Sequence, residues 1–209
     1  YFTNGGFKAS PIVFRGRVFC CDRTGQIYAL NADDGSLLWK KYYLTAQGDN
    51  AIPLAYNNYL YFFGNGYANF YCVRQDNGEE VWHHADIGTN SIYRGKYSAV
   101  AYDGKVYTAH KGSGNIFRVS CFDCAAGKLI WKKEYGGGSD LINNGEVLIC
   151  TTTTPPSVVG NYSAGKLNWL PKEGATFCLT ADSGHTLWEN RTYFAKRPTL
   201  YDTLVYSSA

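Results

Sequence analysis

Gln26-Ile-Tyr-Ala-Leu-Asn-Ala-Asp-Asp-Gly-Ser-Leu-Leu-Trp-Lys40 is the stretch that decides the fold. It reads as a short apolar strand, a polar turn ending in glycine, and a second strand that reaches tryptophan four residues after that glycine. The unit recurs three times. Phe70-Tyr-Cys-Val-Arg-Gln-Asp-Asn77 runs into Gly78-Glu-Glu-Val-Trp82, and Val119-Ser-Cys-Phe-Asp-Cys-Ala-Ala126 runs into Gly127-Lys-Leu-Ile-Trp131. Thr176-Phe-Cys-Leu-Thr-Ala-Asp-Ser183 runs into Gly184-His-Thr-Leu-Trp188. The motif G-x-x-x-W uses four of the five tryptophans, spaced 43, 49 and 57 residues apart. Asp, Asn and Ser favour tight turns, and glycine supplies the positive φ such turns need. Alternation of apolar and polar residues after each glycine indicates a strand with one buried face.

Upstream of each unit lies a further turn and strand: Gly16-Arg-Val-Phe-Cys-Cys, Asn58-Tyr-Leu-Tyr-Phe-Phe, Gly104-Lys-Val-Tyr-Thr-Ala and Gly145-Glu-Val-Leu-Ile-Cys. Each is almost wholly apolar, as expected of a strand buried on both faces. A proline stands seven residues before this strand at Pro11, Pro53 and Pro198, so a further copy begins near residue 198. No helical period competes. The reading is an all-β radial repeat, a β-propeller with four short strands per blade. Blades are expected at about 10–41, 52–85, 98–135 and 139–190, with the start of another at 198–209. Residues 1–209 would then hold about four and a half blades, part of a larger ring.

The frame of strand, Tyr28-Ala-Leu-Asn-Ala-Asp-Asp-Gly35 and Trp39 resembles the pyrroloquinoline-quinone (PQQ)-like repeat of quinoprotein-type propellers. The resemblance covers residues 10–209, and the first copy matches best. It implies a ring of about seven or eight blades. It also implies that Trp39, Trp82, Trp131 and Trp188 dock one blade against the next. Function is not implied, because the family includes dehydrogenases, assembly factors, luminal sensors and adhesive modules.

Composition narrows the partners. Hydrophobic residues make up 45% of the chain and charged residues 18%, a globular balance. A net charge of +3 is too small to indicate a nucleic-acid partner. No run of about eighteen apolar residues exists, so no transmembrane helix is expected. The chain opens on Tyr1 without methionine anywhere, which reads as a processed chain or a piece of a longer one.

There are seven cysteines. Aligning the copies puts Ala29, Cys72, Cys121 and Cys178 at one position. A second holds Cys21, Phe63, Ala109 and Cys150, and a third holds Ala32, Gln75, Cys124 and Ala181. Most cysteines therefore stand where a sister copy has alanine or cysteine, which indicates core packing. Cys121-Phe-Asp-Cys124 has C-x-x-C spacing but is followed by alanine, so it is not a haem site, and no second pair completes a zinc site. Cys20-Cys21 resembles the adjacent-cysteine pair that PQQ-dependent alcohol dehydrogenases place beside the quinone, and these two are the candidate cofactor contacts. The pair falls inside a strand of the repeat, unlike the enzyme pattern, and strand neighbours point to opposite faces.

A quinone enzyme also needs calcium held by oxygen ligands and an aspartate base. Asp22, Asp103 and Asp140 are available, but each falls in a turn or at a strand end where solvation is expected. His83 and His84 point to opposite faces and are read as surface residues, and His110 and His185 are isolated. The longest insertion, about 151–174, carries the sequon at Asn161 together with Tyr162 and Trp169, a candidate contact surface; Asn190 begins a second sequon. The expected function is a non-enzymatic extracellular or luminal module that binds other proteins or copies of itself, with no cofactor. A PQQ–calcium dehydrogenase fragment is the alternative, and a glycan-binding propeller is the third reading.

Overall fold

The computed structural model describes residues 6, 10–22, 24–43, 53–64, 69–85, 98–111, 116–136, 141–152, 175–190, 199–201 and 204–206. Regular structure among them is entirely β. The first sheet is β1 (Ile12–Phe14), β2 (Arg17–Cys21), β3 (Gln26–Asn31) and β4 (Leu37–Tyr42). The second is β5 (Leu54–Tyr56), β6 (Tyr59–Phe63), β7 (Phe70–Arg74) and β8 (Glu80–His84). β9 (Ser98–Tyr102), β10 (Lys105–Lys111), β11 (Ile116–Asp123) and β12 (Leu129–Gly136) form the third. β13 (Leu141–Asn143), β14 (Val147–Thr152), β15 (Ala175–Thr180) and β16 (Thr186–Asn190) form the fourth, and β17 (Thr199–Tyr201) pairs with β18 (Leu204–Tyr206). Within each sheet the strands pair antiparallel in chain order, so each is a simple meander.

Two compact units result. One comprises residues 1–94 with Cys124–Lys128, the other residues 95–123 with 129–209. The core of the first is built from Phe19, Ile27, Trp39, Leu60, Phe62 and Val73. That of the second includes Tyr107, Val119, Leu141, Leu148, Phe177 and Leu179.

Strand register explains the repeat. Residues paired across strands share a face. One row across the first sheet is therefore Ile12, Phe19, Ala29 and Trp39, and across the second it is Leu54, Tyr61, Cys72 and Trp82. The third sheet has Val100, Tyr107, Cys121 and Trp131, and the fourth Ile142, Ile149, Cys178 and Trp188. Each tryptophan is thus paired with alanine or cysteine, and a small partner leaves room for the indole to lie over the sheet. The register shifts beside every one of these pairs, leaving Leu38, Val81, Ile130 and Leu187 as the unpaired bulge residues. A bulge bends the edge strand and re-aims the next side chain, here the tryptophan.

The same register corrects one alignment. β13 and β14 are joined by three residues, Asn144–Glu146, where the other sheets have the two-residue turns Arg15-Gly16, Asn57-Asn58 and Asp103-Gly104. Cys150 consequently pairs with Phe177 and corresponds to Cys20, Phe62 and Thr108, not to Cys21.

Candidate functional site

In an antiparallel meander successive connections alternate between the two ends of the sheet. The β1–β2 and β3–β4 turns and their counterparts lie at one end, and the latter are five residues each: 32–36, 75–79, 124–128 and 181–185. At the opposite end the second strand of each sheet ends and the third begins, with residue numbers 22–25, 64–69, 112–115 and 153–174 between them in the sequence, and the fourth strand ends there too. Variation in length is therefore almost confined to one end of each sheet. Loops that vary on a constant scaffold are where binding residues concentrate.

In the first sheet the loop end is organised around Asp22, which is buried, contrary to the solvated role expected from its position at a strand end. The reason is a set of nearby donors. Oδ1 accepts from Thr24 N at 2.8 Å, Thr24 Oγ1 at 2.7 Å and Gln26 N at 3.1 Å, while Oδ2 accepts from Tyr28 OH at 2.7 Å. Tyr28 OH also lies 2.6 Å from the Gln26 side-chain amide. The amide atom there is Oε1, so the one hydroxyl proton of Tyr28 is divided between Gln26 Oε1 and Asp22 Oδ2. Burial alone would raise the Asp22 pKa, but the hydrogen bonds from Thr24, Tyr28 and Gln26 outweigh it and hold the carboxyl below its ordinary value.

The consequence for stability has a definite sign. A depressed carboxyl contributes stability that is complete above its unfolded pKa of about 4 and is lost as pH falls through the folded value. Asp22→Asn is expected to cost about 2–3 kcal/mol at pH 7, through the loss of hydrogen bonds to a charged acceptor. That deficit should shrink below about pH 4. Urea denaturation of both proteins at pH 7 and pH 3 checks it.

Cys20 and Cys21 are adjacent to this cluster, and both are buried. Burial, followed by the Asp22 carboxylate, raises both thiols, Cys21 to about 12. Among the described residues, which include every cysteine, no disulfide is formed. The histidines are not uniformly superficial. His83 is exposed beside Glu80 at 2.7 Å, and His84 is half-buried with Nε2 2.6 Å from Gly127 O. His110 is fully buried, with Nδ1 3.2 Å from Thr108 Oγ1, which corrects its reading as an isolated residue. At the loop end of the fourth sheet, Thr176 Oγ1 is buried with no hydrogen-bond partner among the described residues. Asp103 is exposed in its turn. Asn190 is exposed at the end of β16, whereas Asp140, Asn161, Tyr162 and Trp169 lie outside the described residues.

The tryptophans have a common geometry. In the first unit Trp39 Nε1 donates to Gln75 O at 2.9 Å, and Trp82 Nε1 donates to Cys124 O at 3.1 Å. In the second, Trp131 Nε1 donates to Ala181 O at 3.1 Å. Each ring lies on a glycine of the receiving turn, Gly78, Gly127 or Gly184. Tyr43 OH adds a bond to Gly78 O. Trp188 is 42% exposed, and among the described residues nothing lies within 4 Å of a Cβ placed at Gly35.

The sequence that builds these contacts matches a known family. The family described as outer membrane protein assembly factor BamB matches residues 3–209. The chain belongs to it. BamB of Yersinia pestis is 25% identical over 194 residues, which is 88% of this chain and 43% of that protein. Tetrathionate hydrolase of Acidithiobacillus ferrooxidans is 26% identical over 188 residues, 81% of this chain and 37% of that protein. The chain thus spans about two-fifths of each relative's length. The BamB structure from Moraxella catarrhalis superposes with a TM-score of 0.63 at 16% identity, covering 98% of this chain and 71% of that one. Quinohemoprotein alcohol dehydrogenase from Comamonas testosteroni superposes at 0.64 with 14% identity, covering 90% of this chain and 35% of that one. These likenesses identify the four sheets as blades of a partial PQQ-like β-propeller.

Dehydrogenases share the BamB fold, so a quinone with its calcium is a group these residues could be asked to hold. Among the described residues no group of three or more His, Cys, Asp or Glu side chains could hold a metal ion. Both oxygens of Asp22 are already engaged by the four donors above. Cys20 and Cys21 are successive residues of one strand and face opposite ways. The described residues do not fit the group.

The sequence reading missed the Asp22 cluster, although a signal was present: Asp followed by Thr two residues on is an Asx-turn pattern.

Proposed function

We propose that this chain is part of a non-enzymatic PQQ-like propeller that binds other proteins in an extracytoplasmic compartment, extracellular or luminal, through the loop ends of its blades. The observation that carries this reading is that connection lengths vary from four to twenty-two residues after the second strand of the sheets, whereas at the other end the turns vary by one residue at most. Membership in a family described as an outer membrane protein assembly factor supports a protein partner and a location outside the cytoplasm. Among the described residues no helix is long and apolar enough to cross a membrane. The open turn at Gly35 and the exposed Trp188 are one acceptor and one donor of the indole contact that the other blades complete. They support completion of the ring by further blades of the same type.

Site-specific photo-crosslinking in the full-length protein tests the loop-end assignment. A crosslinking residue at Tyr42 or Ala85, both exposed at the loop ends of their sheets, is expected to capture a partner polypeptide. One at Asp34 or Asn77, exposed in the opposite turns, is expected to capture none. Capture from the turn positions and not from the loop positions overturns the assignment.

A further inference from the structure

One of the three indole-accepting carbonyls is crowded. Cys124 O accepts from Trp82 Nε1 and from Tyr61 OH, each at 3.1 Å, and Cys72 Sγ lies 3.8 Å from the same oxygen. A carbonyl oxygen has two lone pairs. The indole and the phenol fill them, and the thiol, a weak donor, is the surplus group. The other two contacts are built differently. The residue paired with the indole and the residue that receives it are Ala29 and Gln75 for Trp39, and Cys121 and Ala181 for Trp131. With Trp82 alone both are cysteine, Cys72 and Cys124.

Spacing along the chain suggests a different partner for Cys124, since Cys121-Phe-Asp-Cys124 is a C-x-x-C motif. The fold separates those two. Cys121 packs in the core of the second unit, whereas Cys124 and its turn belong to the first. The sulfur brought against the Cys124 residue is that of Cys72, 52 positions away.

We propose that Cys72 and Cys124 are a redox pair that closes into a disulfide between β7 and the Cys124–Lys128 turn under oxidising conditions. Oxidised glutathione is a sufficient oxidant. One cysteine thiolate attacks a glutathione sulfur and releases one reduced glutathione; the other thiolate then attacks the protein sulfur of the mixed disulfide and releases the second. Two protein S–H bonds and one glutathione S–S bond are consumed, and one protein S–S bond and two glutathione S–H bonds are made. Two electrons pass to glutathione.

Burial pushes the Cys72 thiol up to about 12, with Tyr61 pulling the other way and Cys124 adding to the rise. In the closed contact it is therefore unreactive S–H, and exchange takes place while the contact is open, during folding or local opening. A bridge closing so long a loop restricts the unfolded chain, so the oxidised protein should melt above the reduced one.

The test equilibrates the full chain in reduced and oxidised glutathione, quenches it in acid, alkylates it under denaturing conditions and maps disulfide-linked peptides. The expected result is a Cys72–Cys124 linkage as the main product, with the melting temperature raised by about 5–10 °C. Cys72→Ala and Cys124→Ala should each abolish both the linkage and the rise. Sister blades carry alanine at these positions, Ala29 for Cys72 and Ala32 or Ala181 for Cys124, so the variants keep a side chain the fold already uses. Cys150→Ala should retain both effects. Seven alkylated thiols after oxidation overturn the proposal, as does a main linkage between Cys121 and Cys124 or between Cys20 and Cys21.

Discussion

Trp39→Ala is expected to cost about 3–5 kcal/mol of unfolding free energy, and Trp188→Ala less than about 1 kcal/mol. Both tryptophans end the same G-x-x-x-W motif, so the contrast isolates what the fold does with the motif. The Trp39 ring is 8% exposed, lies 6.2 Å from Phe19 between ring centroids and rests on Gly78. Removing it opens a cavity in the core of the first unit and leaves Gln75 O, which accepted its Nε1–H, short of a donor. Trp188 carries the same pairing to a small residue, Cys178, but is 42% exposed. Little apolar surface returns to water when it is truncated. Denaturant titrations of the two variants give the comparison directly. Equal losses would mean that the indole contributes within its own sheet and not through the contact with the next.

Gly78→Ala is expected to be far more costly than Gly35→Ala, although the two glycines have nearly the same backbone conformation, φ 67° and 70°. A side chain in that left-handed region costs about 1–2 kcal/mol at either position. Gly78 has a second cost. A Cβ there would stand 2.8 Å from Cε3 and Cζ3 of Trp39, well inside carbon–carbon contact at about 3.5–4.0 Å, and the ring is held in place by its bond to Gln75 O. Overpacking of this kind adds about 1–3 kcal/mol. At Gly35 nothing among the described residues lies within 4 Å, so only the backbone cost applies. The double variant Gly78→Ala with Trp39→Ala should then lose less than the sum of the two, by about 1–3 kcal/mol, because the second change removes the clash. Strict additivity would show that the ring and the glycine do not touch in solution.

Much of the fold was legible in the sequence because its strongest signal is periodic. Four tryptophans at one offset from glycine specify the meander, and the Ala29, Cys72, Cys121 and Cys178 row follows from counting back from them. Counting forward from the upstream glycines works less well. The extra residue in the Asn144–Glu146 turn shifts the fourth copy by one, and nothing in the residue types of β14 marks the shift. The candidate site was less legible, for a different reason. Asp22 looks like any strand-end carboxylate until Thr24, Gln26 and Tyr28 are placed around it. Cys121 and Cys124 look like a pair until the turn between β11 and β12 assigns them to different compact units. The tertiary partner of Cys124 leaves no trace in local spacing, whereas the partners of Asp22 lie within six residues of it and are signalled only by the Asx-turn pattern.

We propose that this scaffold binds proteins and carries no quinone chemistry. Equilibrium dialysis of the full-length protein against PQQ and calcium, followed by an alcohol-dependent dye-reduction assay, tests it most directly. No retained quinone and no dye reduction above the buffer rate are expected. One quinone retained per chain, with dye reduction that depends on both alcohol and calcium, would contradict this proposal.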